Sequence, residues 1–225
     1  MNMTELEHDL TAAKMRSKVY SLLADGFSQV DGKLFESFKN GYVSIWSEIA
    51  GSIEGGEEFL PCIEQLKKVL DSVDYEELVA EHSRLFEPRS KLQVPPYETE
   101  YTLAESPQHA LTQQAQLSDI AGFYKAFGLS ISEVRPDRVD HIATELEFMH
   151  VMAQKESVAI ESGETEHIEI VRDAELKFVA DHLSRWTGQF RDRMVNADKL
   201  GFYITLAELL DLWVNIDKAY LDSRD

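Results

Sequence analysis

The sequence is poor in cysteine, in basic residues and in long apolar runs, and each shortage excludes a class of protein. Cys62 is the single cysteine in 225 residues, which excludes an intrachain disulfide framework and any multi-cysteine zinc or iron–sulfur site. One thiol is typical of a reducing compartment. No apolar run approaches the roughly 18 residues that mark a membrane-spanning helix. The opening residues, MNMTELEHDL, lack the basic and apolar regions of a secretory signal, so we expect a cytoplasmic location.

Acidic residues outnumber basic ones. Lys and Arg total 22, Asp and Glu total 41, and the net charge is −19. Nucleic-acid phosphates and anionic lipid headgroups would repel such a chain, so we expect neither nucleic-acid binding nor stable membrane association. A basic partner fits the charge better. The acids are dense between Asp71 and Glu87, a run that is either a solvated helix face or part of a binding surface.

Glycine and proline are scarce too, at 11 and 6 residues, and strand signals are weak. Helix signals recur instead. Thr4-x-x-Glu7 and Asp74-x-x-Glu77 have the capping-box pattern, and Ile63, Leu66 and Leu70 share one helix face. We therefore predict an all-α fold, a single helical domain over residues 1–225 with about eight to ten helices.

Turn and cap residues predict several helix ends. Asn40-Gly41 predicts a break, Ser106-Pro107 and Gly128 predict the start and end of one helix, and Arg135-Pro136 predicts the start of the next. Thr187-Gly188 predicts the end of a later helix. A last helix is expected near the carboxyl end of the sequence.

A proline-rich stretch from Glu87 to Glu105 has no helical periodicity. Four of the six prolines lie in or beside it, at positions 88, 95, 96 and 107. A connection of this length without regular structure is more often functional than filler. We predict an ordered loop of a binding site, placed between an N-terminal and a C-terminal helical half. The alternative is a mobile tether between the two halves.

Patterns of catalysis and metal binding are weak. The sequence has no nucleophile elbow, phosphate-binding loop or dinucleotide fingerprint, which favours a binding protein without a cofactor. Glu147-x-x-His150 and Glu164-x-x-His167 have the spacing of di-iron bundle ligands, so a small all-α metal-binding protein or enzyme stays as the alternative. Cys62 is interpreted as a structural residue.

The segment after Pro136, laid out as a helix, has two stripes. The core stripe consists of Ile142, Leu146, Met149 and Ala153. A second stripe, about a quarter turn away, consists of His141, Glu145, Phe148 and Met152. His141 and Glu145 are four residues apart and can pair. This flank is either an amphipathic surface with one ion pair or the wall of a groove for an apolar and basic partner.

Four motifs together resemble the TorD/DmsD/NarJ family of molybdoenzyme maturation chaperones. Ser83–Phe86 followed by Pro95–Tyr101 resembles the family's LF…PPYES-x-Y signature, and Asp140–Met149 resembles its DH-x-x-x-EL-x-F-M signature. Ile120–Leu129 is similar to the FY-x-x-F-GL helix between them, and His182–Phe190 to the later HL-x-x-W-x-x-x-F element. The first 70 or so residues match only in being helical.

The resemblance implies an all-helical chaperone without catalytic activity or a cofactor. It implies that the chain binds the N-terminal signal peptide, often a twin-arginine signal, of the catalytic subunit of a molybdopterin oxidoreductase of the dimethyl sulfoxide reductase class. Export would wait until the cofactor is inserted, although NarJ-like members serve a partner that stays inside. A monomer is expected, with the domain-swapped dimer of some family members as the alternative.

The family's peptide-binding positions correspond to the Pro-Pro-aromatic loop and the Asp-His pair. Tyr97 stands where some members have tryptophan, so partner choice is expected to differ. Thr99 stands where serine is common, a mild departure that keeps the hydroxyl. A groove of aromatic and acidic side chains would suit a peptide that is basic at its start and apolar in its middle. The predicted peptide-binding residues are Phe86, Pro95, Pro96, Tyr97, Glu98, Tyr101, Asp140, His141 and Glu145.

Overall fold

The computed structural model describes residues 3–87, 92–102, 109–132 and 137–224, and within these ranges nine α-helices have eight or more residues. The α-helices, with two shorter ones included, are α1 Met3–Phe27, α2 Gly32–Ser37, α3 Val43–Ala50, α4 Leu60–Ser72, α5 Tyr75–Phe86, α6 Thr99–Thr102, α7 His109–Ala126, α8 Ile142–Ser162, α9 Thr165–Asp181, α10 Thr187–Ala197 and α11 Phe202–Asp222. The prediction of an all-α fold is confirmed. No helix in the described part of the chain is both long and apolar enough to cross a bilayer.

The helices surround a large cluster of buried apolar side chains. The most extensive helix packing is between α1 and α8. The next most extensive pairs are α8 with α9 and α10 with α11. Helices that precede the proline-rich stretch therefore pack directly on helices that follow it. Large aromatic rings fill the cluster, among them Tyr20, Phe27, Trp46, Trp186, Tyr203 and Trp213.

Several sequence signals form the local structure that they predict. The Asp74 carboxylate accepts a hydrogen bond from the Glu77 backbone N–H (2.8 Å), and the Glu77 carboxylate accepts one from the Asp74 N–H (3.1 Å), so this capping box is complete. The helical conformation is interrupted at Asn40 and Gly41, as predicted, and Gly41 has a φ of 131° that other residues rarely adopt.

Two predicted helix boundaries are wrong. α8 begins at Ile142, with an extended His141 as its N-cap, whereas the start was predicted at Arg135-Pro136. The predicted helix starts at Arg135-Pro136 and Ser106-Pro107 themselves lie outside the described residues. The His141 backbone is extended and forms an antiparallel bridge with Tyr97 of the proline-rich loop. Because an extended residue cannot be part of a helix, α8 begins after His141. Thr187 opens α10 and does not end a helix, because α9 already ends at Asp181.

A buried ionic cluster joins the four helices α1, α8, α9 and α11. Arg16 on α1 is about 1% exposed and donates to Asp217 (2.5 Å), Glu156 (2.7 Å) and Glu175 (3.1 Å) on three other helices. Burial raises the pKa of Glu175 to about 8, with Arg16 opposing the shift and Glu156 adding to it. The Arg16 guanidinium is thus the shared cation of the cluster.

Cys62 lies on α4 and is buried, which agrees with a structural role. Burial raises the pKa of its thiol to about 12, with the neighbouring Glu208 carboxylate adding to the shift. The thiol is protonated at neutral pH and is a poor nucleophile.

Candidate functional site

The proline-rich loop is fastened to the chain just before α8. The Ile142 N–H donates to the Pro96 carbonyl (2.8 Å), the Glu98 N–H donates to the Asp140 carbonyl (3.0 Å), and a single antiparallel bridge joins Tyr97 to His141 between them. The described part of the loop, residues 92–102, is thus packed, and its last residues form the short helix α6. Positions 88–91 and 103–105 lie outside the described residues.

Asp140 is the polar anchor of this junction. Its buried carboxylate accepts hydrogen bonds from the Thr99 hydroxyl (2.8 Å) and from Nε and Nη2 of Arg138 (2.8 and 2.7 Å). The same guanidinium lies over the Tyr97 ring, 4.1 Å from its centroid. Asp140 is therefore already compensated, and it positions the loop and does not face solvent.

An open groove of about 640 Å³ lies between the end of α1, α5, the loop and α8; we call it the Tyr97 groove. The Tyr97 and His141 rings meet edge to face, with centroids 5.6 Å apart. The groove is lined by Phe27, Ser28, Gln29, His82, Phe86, Glu87, Tyr97, Ser132, Asp137, His141, Ala143, Thr144 and Glu147. Aromatic rings thus lie close to three acids, and none of these described lining residues is Lys or Arg.

The two histidines of the groove favour their neutral forms. Burial lowers the pKa of His82. Burial also lowers the pKa of His141, against the opposing effect of Asp137, whose carboxylate lies 3.7 Å from His141 Nε2. His141 Nδ1 accepts a hydrogen bond from the Ala143 N–H (3.2 Å) and so caps α8. At neutral pH the charge of the groove therefore comes from its carboxylates.

A second polar layer lies beneath the loop and brings the other motifs together. His182 Nδ1 lies 3.0 Å from a Glu98 carboxylate oxygen, and Trp186 Nε1 donates to Glu145 (3.3 Å). Gln116 on α7 also bonds to Glu98. Burial and the nearby Glu98 carboxylate raise the pKa of Glu145 well above its usual range, which favours a neutral carboxyl group. This layer supports the loop from below.

The predicted site residues divide between the groove and this supporting layer. Phe86, Tyr97 and His141 line the groove. The other six are buried behind it, and they are Pro95, Pro96, Glu98, Tyr101, Asp140 and Glu145. Tyr101, for example, donates through its hydroxyl to the Pro95 carbonyl (2.8 Å) and packs on Trp186.

The predicted His141–Glu145 ion pair does not form. Glu145 is inside the helix and points to Trp186, whereas His141 is the residue before the helix and faces Tyr97. Of the second stripe, His141 lines the Tyr97 groove, whereas Glu145, Phe148 and Met152 are buried and do not form its wall. Helical periodicity alone could not reveal that α8 is covered on several sides.

The predicted site left out four titratable groove residues, namely His82, Glu87, Asp137 and Glu147. Two of them had a local signal. Glu87 ends the acidic run that begins at Asp71. His82 precedes Phe86 by four residues on the helix α5, so the two side chains share a face. Asp137 precedes His141 by four residues, but this segment is a turn and only the fold brings the two side chains together.

The Glu-x-x-His pairs lie apart from one another. Glu147 lines the groove, whereas His150 Nδ1 lies 2.9 Å from the Ser17 hydroxyl. Glu164 and His167 form an exposed pair at the start of α9. In the described ranges no group of three or more His, Cys, Asp or Glu residues is placed to hold a metal ion.

Comparisons with known proteins agree with the motif resemblance. Residues 57–192 match the family model of the nitrate reductase delta subunit. Over 218 residues the chain is 28% identical to chaperone protein TorD of Vibrio parahaemolyticus, covering 92% of this chain and 94% of that protein. It is 27% identical over 215 residues to chaperone protein TorD of Shewanella piezotolerans, covering 93% of each.

A solved structure shares the fold. A protein of Archaeoglobus fulgidus described as a redox enzyme maturation protein superposes with a TM-score of 0.50 and 21% identity, covering 89% of this chain and 94% of that one. At this identity the likeness concerns the fold, and it extends the agreement beyond the segment of the family model.

Proposed function

Since the chain belongs to the nitrate reductase delta subunit family, whose members are molybdoenzyme maturation chaperones and not catalysts, we propose that it binds the N-terminal signal peptide of its partner's catalytic subunit in the Tyr97 groove. The expected partner is a molybdopterin oxidoreductase of the dimethyl sulfoxide reductase class with a twin-arginine-type signal. Binding would take place in the cytoplasm, before export, and would assist insertion of the partner's cofactor.

The observation that carries this proposal is the union of aromatic and acidic side chains in one groove. Phe86 and Tyr97 offer apolar area, which stabilises a buried apolar peptide side chain by about 25 cal/mol per Å². Glu87, Asp137 and Glu147 offer carboxylates that suit the guanidinium groups of a twin-arginine signal. Both halves of such a peptide find their chemical complement here.

The supporting layer explains how the groove keeps its shape without a ligand. Asp140 fixes the Tyr97 segment through Thr99 and Arg138, and the Glu98–His182 pair holds the next residue from below. A loop that is ordered in advance loses less conformational entropy on binding. The buried members of the predicted site therefore contribute by positioning Tyr97 and His141.

We propose a monomer as the acting form. Within a single chain α1 can cover α8, so a second chain is not needed to bury this face. Light scattering of the purified protein distinguishes this from the domain-swapped dimer.

The proposal predicts that Tyr97→Ala weakens binding of a synthetic twin-arginine signal peptide by about tenfold, because one aromatic contact is lost. Calorimetry at low and high salt measures this, and native affinity should fall at high salt because carboxylates contribute. The matched control is Tyr75→Ala, a partly buried tyrosine that packs on Phe35 away from the groove. A Tyr97→Ala variant that keeps the helical melting transition and binds like the parent would contradict the groove assignment.

A further inference from the structure

The Tyr97 groove continues along α8 into a second, smaller cavity of about 180 Å³. Four residues line both cavities, and they are Ser132, Asp137, Thr144 and Glu147. The two cavities therefore adjoin one another on the outer face of α8, and we call the pair the trough.

The side chains that make the second cavity apolar are mainly aliphatic, whereas those of the Tyr97 groove are mainly aromatic. Leu129, Ile131 and Val151 are partly exposed in it, and the buried rings of Tyr124 and Phe148 lie behind them. An apolar cavity of about 150 Å³ holds a benzene-sized group, so this one has room for a single aliphatic or aromatic side chain. It is too small for a separate drug-sized molecule, for which pockets start at about 300 Å³.

Acidic groups mark the place where the two cavities meet. Asp137 and Glu147 are both exposed and both line the two cavities. No lysine or arginine is among the described residues that line the trough. The neighbouring Arg138 pairs with Asp140 and lies over the Tyr97 ring. A cationic side chain between two apolar ones is the complement of this arrangement.

The spacing of the two apolar ends follows from the helix beneath them. Ala143 lines the first cavity and Val151 the second, and eight residues of α-helix at 1.5 Å each span about 12 Å. An extended peptide covers about 3.3 Å per residue, and alternate side chains point to the same side. Side chains at i, i+2 and i+4 of an extended segment would therefore reach the first cavity, the acids and the second cavity.

We propose that this trough recognises an extended basic peptide with apolar side chains at positions i and i+4 and an arginine or lysine at i+2. The inference rests on the proposed function, and it adds a second apolar subsite formed by Leu129, Ile131 and Val151. This subsite would set how far the bound peptide extends along α8 and which partner segment fits.

The test uses the full chain and a short labelled peptide with Leu, Arg and Leu at alternate positions in a Ser/Gly background. A second peptide has the last Leu replaced by Ser, and a third has the same composition with the two Leu residues adjacent. Val151→Gln removes an apolar wall of the second cavity. Val158→Gln is the matched control, because Val158 lies two turns further along α8 and is 59% exposed.

Native protein and Val158→Gln should bind the first peptide about tenfold more tightly than the other two, as measured by fluorescence anisotropy. Val151→Gln should lose this preference between the first and second peptides, while Tyr97→Ala should weaken all three. Equal binding of the three peptides by native protein, or an unchanged preference in Val151→Gln, overturns the second subsite. If Tyr97→Ala still weakens a twin-arginine signal peptide in that case, the proposed function stands. If native protein binds none of the peptides, the signal peptide included, both fail.

Discussion

His141 shows how much depends on the backbone of a single residue. Its φ and ψ of −77° and 136° are extended, so its side chain caps α8 and its backbone pairs with Tyr97 at the same time. In the predicted helix, which starts six residues earlier, the same ring would lie beside Glu145 and away from the loop. Tyr97 and His141 meet in the groove because α8 begins only at Ile142, which leaves the His141 backbone free to pair with the loop.

We expect His141→Asn to weaken binding of a twin-arginine signal peptide severalfold with little loss of stability. Asparagine can still cap α8, but it removes the ring that packs against Tyr97. His141→Ala should lose the cap as well, at a further cost of about 1 kcal/mol in the free energy of unfolding. Urea denaturation and calorimetry on the pair of variants separate capping from binding. Unchanged peptide affinity in both variants would show that the ring does not contribute.

Glu175 gives a residue-level test of the buried ionic cluster. Its pKa is raised from 4.5 to about 8 in the folded chain, so between these values the folded protein keeps a proton that the unfolded chain has released. The stability from this site is full below pH 4.5 and is lost as pH rises through about 8. Native protein should therefore lose stability between pH 5 and pH 8, by at most about 1.4 kcal/mol per pH unit from this group.

The variant Glu175→Gln should have a shallower dependence, because its amide does not titrate and still accepts a hydrogen bond from Arg16. Urea denaturation at several pH values measures the difference. Glu169→Gln, an exposed position on the same helix, should follow the native curve. Parallel curves for native protein and Glu175→Gln would mean that the carboxyl group is ionised throughout this range.

At the scale of elements, the loop and α8 are held together by very few polar atoms. Thr99 donates to Asp140, and its hydroxyl also accepts from Arg138 Nη2 (2.9 Å). All three side chains belong to segments without long regular structure of their own. This small network and the backbone hydrogen bonds on either side of Tyr97 together position its ring.

Thr99→Val should loosen the loop without unfolding the chain. Valine keeps the buried volume but loses the hydrogen bonds of the hydroxyl with Asp140, Arg138 and Gln113, each with a net contribution of about 1 kcal/mol. Arg138 then remains the side-chain donor to Asp140 among the described contacts. Hydrogen exchange of amides 97–101 should become about tenfold faster. Thr99→Ser retains the hydroxyl and should exchange like the parent. Equally fast exchange in Thr99→Val and native protein would rule out the network as the anchor.

The helices and the loop also show which structural features can be predicted from local sequence patterns. Capping boxes, glycines with positive φ and apolar periodicity are local signals, and they predicted the helical class and the break at Gly41. Asp74 and Glu77 could be paired from the sequence because both partners lie within one turn. The late start of α8 and the burial of Glu145 depend on partners more than 40 residues away, such as Tyr97 and Trp186. No local pattern contains that information.

At the scale of the whole molecule, charge is distributed very differently outside and inside. Exposed acids account for much of the net charge of −19, whereas inside the fold several carboxyl groups surround one buried cation, Arg16, which is about 1% exposed. Arg16 bonds to carboxyl groups from α8, α9 and α11. Its removal would leave the buried Asp217 without its cation, whereas Glu156 would keep Arg172. A buried charge without its partner is strongly unfavourable.

Arg16→Leu is therefore expected to lower the free energy of unfolding by about 3–5 kcal/mol at neutral pH. Lys14→Ala on the same helix removes the exposed pair with Glu161 and should leave stability close to that of the parent, since exposed pairs contribute little. Thermal and urea denaturation measure both variants. An Arg16→Leu variant as stable as Lys14→Ala would show that the carboxyl groups are neutral without the guanidinium.

The packing of α1 on α8 also bears on how the chain folds while it is being synthesised. More than 100 residues separate Phe27 at the end of α1 from Ile142 at the start of α8, so the first helix leaves the ribosome long before its main packing surface exists. At about 5–20 residues per second, this interval lasts from several seconds to about half a minute. During that time the apolar face of α1 is uncovered. Ribosome-bound chains truncated before α8 should accordingly be digested by proteases as though unfolded, and a chaperone for other proteins would itself need protection while it is made.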